Sequence, residues 1–196
     1  MREIWPADTP AKLEADIRAA DDASLVERIE RLRLLEEEFG PPADMGLVGG
    51  IGALLAIGEL KSSFLCGNYM ATIFLCQTFV EHSLAGPFAL AGEDEHVEKG
   101  MCYLIDESLA RKSISSALAA RLHELREMRN PYTHPRILQK NQSLLDRVIK
   151  TTQNPFSMAL TDATEAIRIV VDFLREGCPS WTPSGHGHAK QGSQNL

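Results

Sequence analysis

Nineteen consecutive residues, Ser62 to Val80, carry no formal charge, and the pattern from Glu59 to Leu84 is helical and apolar nearly all round. A stretch of that length has two homes, a bilayer or a protein core, because a helix without a polar face must be covered on every side. Asn68, Gln77, two threonines, two serines and Gly67 interrupt the run, and Glu59, Lys61, Glu81 and His82 crowd its ends. These residues favour a central buried helix in a protein that does not enter a membrane.

The remaining segments supply the cover. Pro10 follows Asp8-Thr9 as a helix-start signal, and Ser24-Leu25-Val26-Glu27 has the form of a capping box. Residues 11–39 therefore read as one broken helix or two shorter ones, with Leu25, Ile29, Leu32, Leu35 and Phe39 apolar. Gly40-Pro41-Pro42 stops them. Residues 45–57 are apolar and rich in glycine. No Gly-Lys-Ser/Thr follows and the spacing is not that of a dinucleotide site, so close helix packing explains the glycines.

Gly86-Pro87 is expected to end the central helix, and 91–96 to form an acidic loop. Further helices are expected over 97–109, from a cap at Ser115 or Ser116, over 138–149, and from about Thr161 to Glu176 with Gly177 as the cap. No alternating strand pattern is present. The expected fold is an all-α, antiparallel helical bundle forming a single domain over 1–177, with a disordered tail over 178–196.

At 196 residues one well-buried core is expected. The four cysteines form no CxxC pair and read as reduced thiols, three of them in apolar helical context, in a cytoplasmic protein. No cofactor fingerprint and no metal-ligand set is found. His186-Gly187-His188 lacks a third ligand nearby. Net charge is -7, which opposes unspecific nucleic-acid binding, yet residues 111–150 hold nine Lys/Arg against three acids. Such a strip can focus a positive field on one surface.

Within that strip lies Arg129-Asn130-Pro131-Tyr132-Thr133-His134. Five helical residues turn a chain by roughly 500°, which would leave Arg129 and His134 about 140° apart. Pro131 clashes with the carbonyl of Glu127 and restricts Asn130, so the helix is expected to kink or end at Asn130. His134 then returns beside Arg129. Arg126, Arg129 and Asn130 share one helix face, at i, i+3 and i+4. Arg129 also has candidate ion-pair partners in Glu124 and Glu127. Glu81-His82 is a weaker polar candidate, and His123 is expected to be exposed.

This stretch resembles the signature of the HEPN superfamily of helical-bundle proteins: an arginine followed by a polar residue, four to six intervening residues, and a histidine. Arg129, Asn130 and His134 fit it with four intervening residues, and the pattern extends over roughly residues 58–176. The N-terminal helical segment, 10–40, lies outside it. The resemblance implies a homodimer in which two motifs face one cleft and cleave RNA without a metal. His134 would be the general acid or base, Arg129 would hold the scissile phosphate, and Asn130 would orient either group. Arg126 and Arg136 would add substrate-binding charge. The toxin branch of the family carries a tyrosine where this chain has Arg136. The alternative implication is a non-catalytic HEPN-like module that binds a nucleotide, RNA or a protein partner through the same cleft.

Overall fold

The computed structural model describes residues 9–40, 49–133 and 143–177. They form helices and no strands: α1 (Thr9–Phe39), α2 (Gly50–Leu65), α3 (Tyr69–Ala91), α4 (Asp94–Val97), α5 (Met101–Ala110), α6 (Ser116–Thr133), α7 (Leu144–Thr151) and α8 (Pro155–Gly177). The all-α bundle inferred from the sequence is therefore the fold. No helix among the described residues is long and apolar enough to cross a membrane. The expected tail and the tryptophans Trp5 and Trp181 lie outside the described residues.

The charge-free run is two helices, not one. Gly67 takes a left-handed φ of +78° between α2 and α3. The Gly67 and Asn68 amides donate to the carbonyls of Phe64 and Ser63. This closes the end of α2 in the manner of a glycine C-cap. The apolar pattern continues unbroken across the turn because both helices feed one core, so periodicity alone hid the boundary. α3 is the centre of the bundle and packs against α2, α8, α5 and α6. Its Ile73, Cys76, Phe79, Val80 and Leu84 are buried, and Phe79 meets Phe173 of α8 edge to face at 6.1 Å between centroids.

The glycines before and within α2 let it lie close to α3. A Cβ on Gly49 would stand 2.7 Å from the Ser83 Cα, and one on Gly52 would stand 2.8 Å from the His82 ring. Gly49 also has φ +94°, a region that favours glycine. Close packing through small residues, as read from the sequence, is what these two positions do. His82 is thereby seated against α2.

Two prolines expected to end helices do not. Pro87 lies inside α3 and Pro131 inside α6. Beyond Pro87 the side chain of Phe88 is only 4% exposed, so core burial carries the helix past the missing donor. α1 is one helix of 31 residues. Ser24 is interior to it and donates to the Asp21 carbonyl at 3.0 Å, so it is not a cap. Of the apolar residues noted in this segment, Leu35 and Phe39 are buried, while Leu25, Ile29 and Leu32 are exposed.

The expected acidic loop contains the short helix α4, and α8 starts at Pro155, earlier than Thr161. There the Phe156 amide donates to Asn154 Oδ1 at 2.8 Å. Among the cysteines, Cys76 is the core thiol while Cys66 and Cys102 are exposed; Cys178 lies outside the described residues.

Candidate functional site at the end of helix α6

α6 starts where expected. Ser115 Oγ accepts the Leu118 amide at 3.0 Å, a standard N-cap bond. Its buried stripe is Leu118, Ala119, Leu122 and Leu125. The C-terminal end differs from expectation. No break occurs at Asn130: the helix runs through Pro131 to Thr133. Thr133 Oγ1 donates back to the Arg129 carbonyl at 3.0 Å. The Tyr132 hydroxyl donates to Asp162 Oδ2 of α8 at 2.8 Å. Asp162 is only 7% exposed and also takes two bonds from Arg147 of α7, at 2.6 and 2.9 Å. This long-range anchor, absent from any local pattern, holds the last turn past the proline. Burial and the Asp162 carboxylate push the Tyr132 hydroxyl well above the usual phenol range.

Arg126, Arg129 and Asn130 are half-buried on that last stretch of α6. The carboxylates proposed as partners of Arg129 are engaged elsewhere. Glu124 pairs with Arg121 at 2.8 Å, and Glu127 Oε1 is 3.7 Å from Arg126 Nη2. Among the described residues no carboxylate pairs with Arg129. Arg126 Nε is buried with no hydrogen-bond acceptor. An unsatisfied buried donor costs about 1–3 kcal/mol, more when charged, unless a ligand or water accepts from it. His134 and Arg136 lie outside the described residues, so the return of the histidine toward Arg129 is an expectation about residues beyond Thr133.

Among the described residues, three cations of the basic strip are neutralised by carboxylates. Arg111 is bound by Glu93 and Glu107 at 2.7 Å each, Arg121 by Glu165 at 2.7 Å, and Arg147 by Asp162. Arg129 stands apart from these neutralised cations, and Arg126 has only the 3.7 Å contact with Glu127. His123 is half-buried beside Asp106, with Nε2 3.1 Å from Oδ1.

Two polar constructions were not legible in the sequence. Arg31 of α1 is 8% exposed. It donates through Nε to the Leu65 carbonyl at 2.9 Å and through Nη1 to Tyr69 Oη at 3.2 Å. It therefore caps the C-terminal end of α2 and floors an open groove of about 680 Å³ between α1, the α2–α3 turn and α8. Its place one turn before Leu35, on the same face, is the only signal. The second is His96, stacked between Phe88 and Tyr103 at 5.1 and 5.7 Å, with Nδ1 2.7 Å from the Tyr103 hydroxyl.

Comparison with protein-family models, curated proteins and solved structures finds no match to this chain.

Proposed function

We propose that this chain is a HEPN-like, metal-independent endoribonuclease whose site forms where the ends of two α6 helices meet in a homodimer. The observation that carries the reading is the donor capacity left open on α6. Arg129 has no carboxylate partner among the described residues, and Arg126 offers a buried Nε–H with no acceptor. Guanidinium is the side chain best matched to a phosphate diester, by charge and by the geometry of its N–H donors.

The chemistry then needs one proton-transfer group. A histidine with an ordinary value near 6.5 can accept the 2'-hydroxyl proton near neutral pH. In this reading His134 takes that proton, and the 2'-oxygen attacks phosphorus. The bond from phosphorus to the 5'-oxygen breaks, and a second imidazole, His134 of the other copy, protonates the leaving oxygen. Arg129 stabilises the charge that builds on the non-bridging oxygens. Asn130 orients the phosphate or the imidazole. Arg126 and Arg136 extend the phosphate-binding face. The products are a 2',3'-cyclic phosphate and a 5'-hydroxyl end.

End-labelled RNA incubated with the full chain in EDTA tests this. The wild type is expected to cleave it, and His134→Ala and Arg129→Ala to cut at least roughly a hundredfold more slowly with unchanged helical content. Equal cleavage by all three, or none by any, would sink the nuclease reading. RNA retained by the wild type but uncut, with retention lost in Arg129→Ala, would select the non-catalytic binding module instead.

A further inference from the structure

A charged side chain as buried as Arg31 needs fixed partners, and those of Arg31 hold all but one of its nitrogens. Nε donates to the Leu65 carbonyl, and Nη1 donates to Tyr69 Oη and to Glu27 Oε2. A Cβ on Gly67 would stand 3.8 Å from Cζ, Nη1 and Nη2 alike, so the guanidinium lies flat against the α2–α3 turn. These contacts fix the plane of the fork in advance. Nη2 is the nitrogen left over. It has no acceptor among the described residues, and protein does not enclose it. Because Arg31 lines the groove, an acceptor for Nη2 must come from the groove.

The walls around this donor are apolar. Leu34 comes from α1, Phe64 from α2, and Leu160 and Phe156 from α8. The Phe156 side chain lines the groove while 78% exposed. The volume of about 680 Å³ lies within the roughly 300–1,000 Å³ typical of small-molecule sites. Apolar walls around one preorganised polar group suit a ligand with an apolar body and a single polar end.

Charge selects that end. Arg31 is the one cation lining the groove among the described residues, and Glu27 and Glu30 are the acids. The Glu27 side chain is 72% exposed and reaches Nη1 at 3.2 Å, so solvent screens its hold on the guanidinium. A single carboxylate meets Nη2 with a charge-assisted bond. A phosphate dianion would face both acids with only one cation to offset them.

We infer that this groove binds a small organic monocarboxylate with an apolar body. Its carboxylate accepts from Arg31 Nη2, and its body lies between Phe64, Phe156 and Leu160. The site does not rest on the ribonuclease reading, since no residue of α6 lines the groove.

Calorimetric titration of the full chain with octanoate tests the site. Saturable binding to one site is expected, with octanamide, which has the same length but no charge, bound at least about tenfold more weakly. Glu27→Gln removes the competing acid at an exposed position and should tighten octanoate while leaving octanamide unchanged. Phe156→Ser should weaken both probes alike. Arg31→Gln should abolish the preference for the acid; because it also takes a cap from α2, the Glu27 and Phe156 variants decide the matter if it fails to fold. Cys66 is exposed and lines the groove, so it reports where the probe sits. In a background with Cys102 and Cys178 changed to serine, octanoate should slow alkylation of Cys66 by N-ethylmaleimide, and octanamide at the same concentration should not. Absence of saturable octanoate binding, equal affinity for the amide, or binding that leaves the Cys66 rate unchanged would overturn the site. A Cys66 as unreactive as the buried Cys76 before any probe is added would also overturn it, by showing that another segment of the chain fills the groove.

Discussion

Asp162 accepts from Tyr132 and, through both oxygens, from Arg147 while almost wholly buried. Removing it leaves a guanidinium and a hydroxyl without their acceptor. Asp162→Ala is therefore expected to lower stability by about 3 kcal/mol, and Tyr132→Phe by about 1 kcal/mol, measured by urea unfolding. The Tyr132 hydroxyl is held above its unfolded value near 10, chiefly by burial. The folded state thus keeps the proton longer than the unfolded chain, and the contribution is complete below pH 10 and lost as pH rises above it. The alkaline loss of stability should be shallower in Tyr132→Phe. An equally steep loss in both would remove Tyr132 from the account. None of this was legible locally, since Tyr132 looked like a spacer inside a motif and its acceptor lies 30 residues away. The uncommitted state of Arg129 was equally hidden. Glu124 and Glu127 were both plausible partners by spacing, but the first pairs with Arg121, one turn before it on α6, and the second lies nearer Arg126.

Helix ends show where sequence chemistry is decisive and where it yields. Gly40 ends α1 with φ +70° and its amide bonded to the Glu36 carbonyl at 2.9 Å, so the stop read from Gly40-Pro41-Pro42 stands. Pro87 and Pro131 carry the same local penalty but sit before residues anchored by burial or by Asp162, and tertiary contacts override the stop. The caps at Ser115 and Asn154 are local bonds and could be read or nearly read; the split at Gly67 could not, because one core continues across it. α1 carries a different consequence. Its residues 10–23 are all exposed, and its buried residues are Arg31, Leu35 and Phe39. A helix unsupported by packing is marginal in water. Amide hydrogen exchange is expected to run near the unprotected rate over 12–23 and to be slowed by at least roughly a hundredfold over 31–39. Uniform protection along α1 would mean that its first half is covered in solution.

Across the whole molecule, the fold class followed from a charge-free core segment and the lack of any alternating pattern, because a long apolar run at helical spacing must be covered by other helices. The site followed less fully. Charge counting suggested one basic strip, whereas folding neutralises Arg111, Arg121 and Arg147 and leaves Arg126 Nε without an acceptor and Arg129 without a carboxylate partner among the described residues. In the proposed reaction these arginines serve phosphodiester transfer by the substrate's own 2'-hydroxyl. The most direct measurement is cleavage in EDTA of a matched pair of oligonucleotides, one all-ribose and one 2'-O-methylated throughout. The first is expected to be cut to 2',3'-cyclic phosphate and 5'-hydroxyl ends while the second stays intact. Cleavage of both, or of neither, would contradict it.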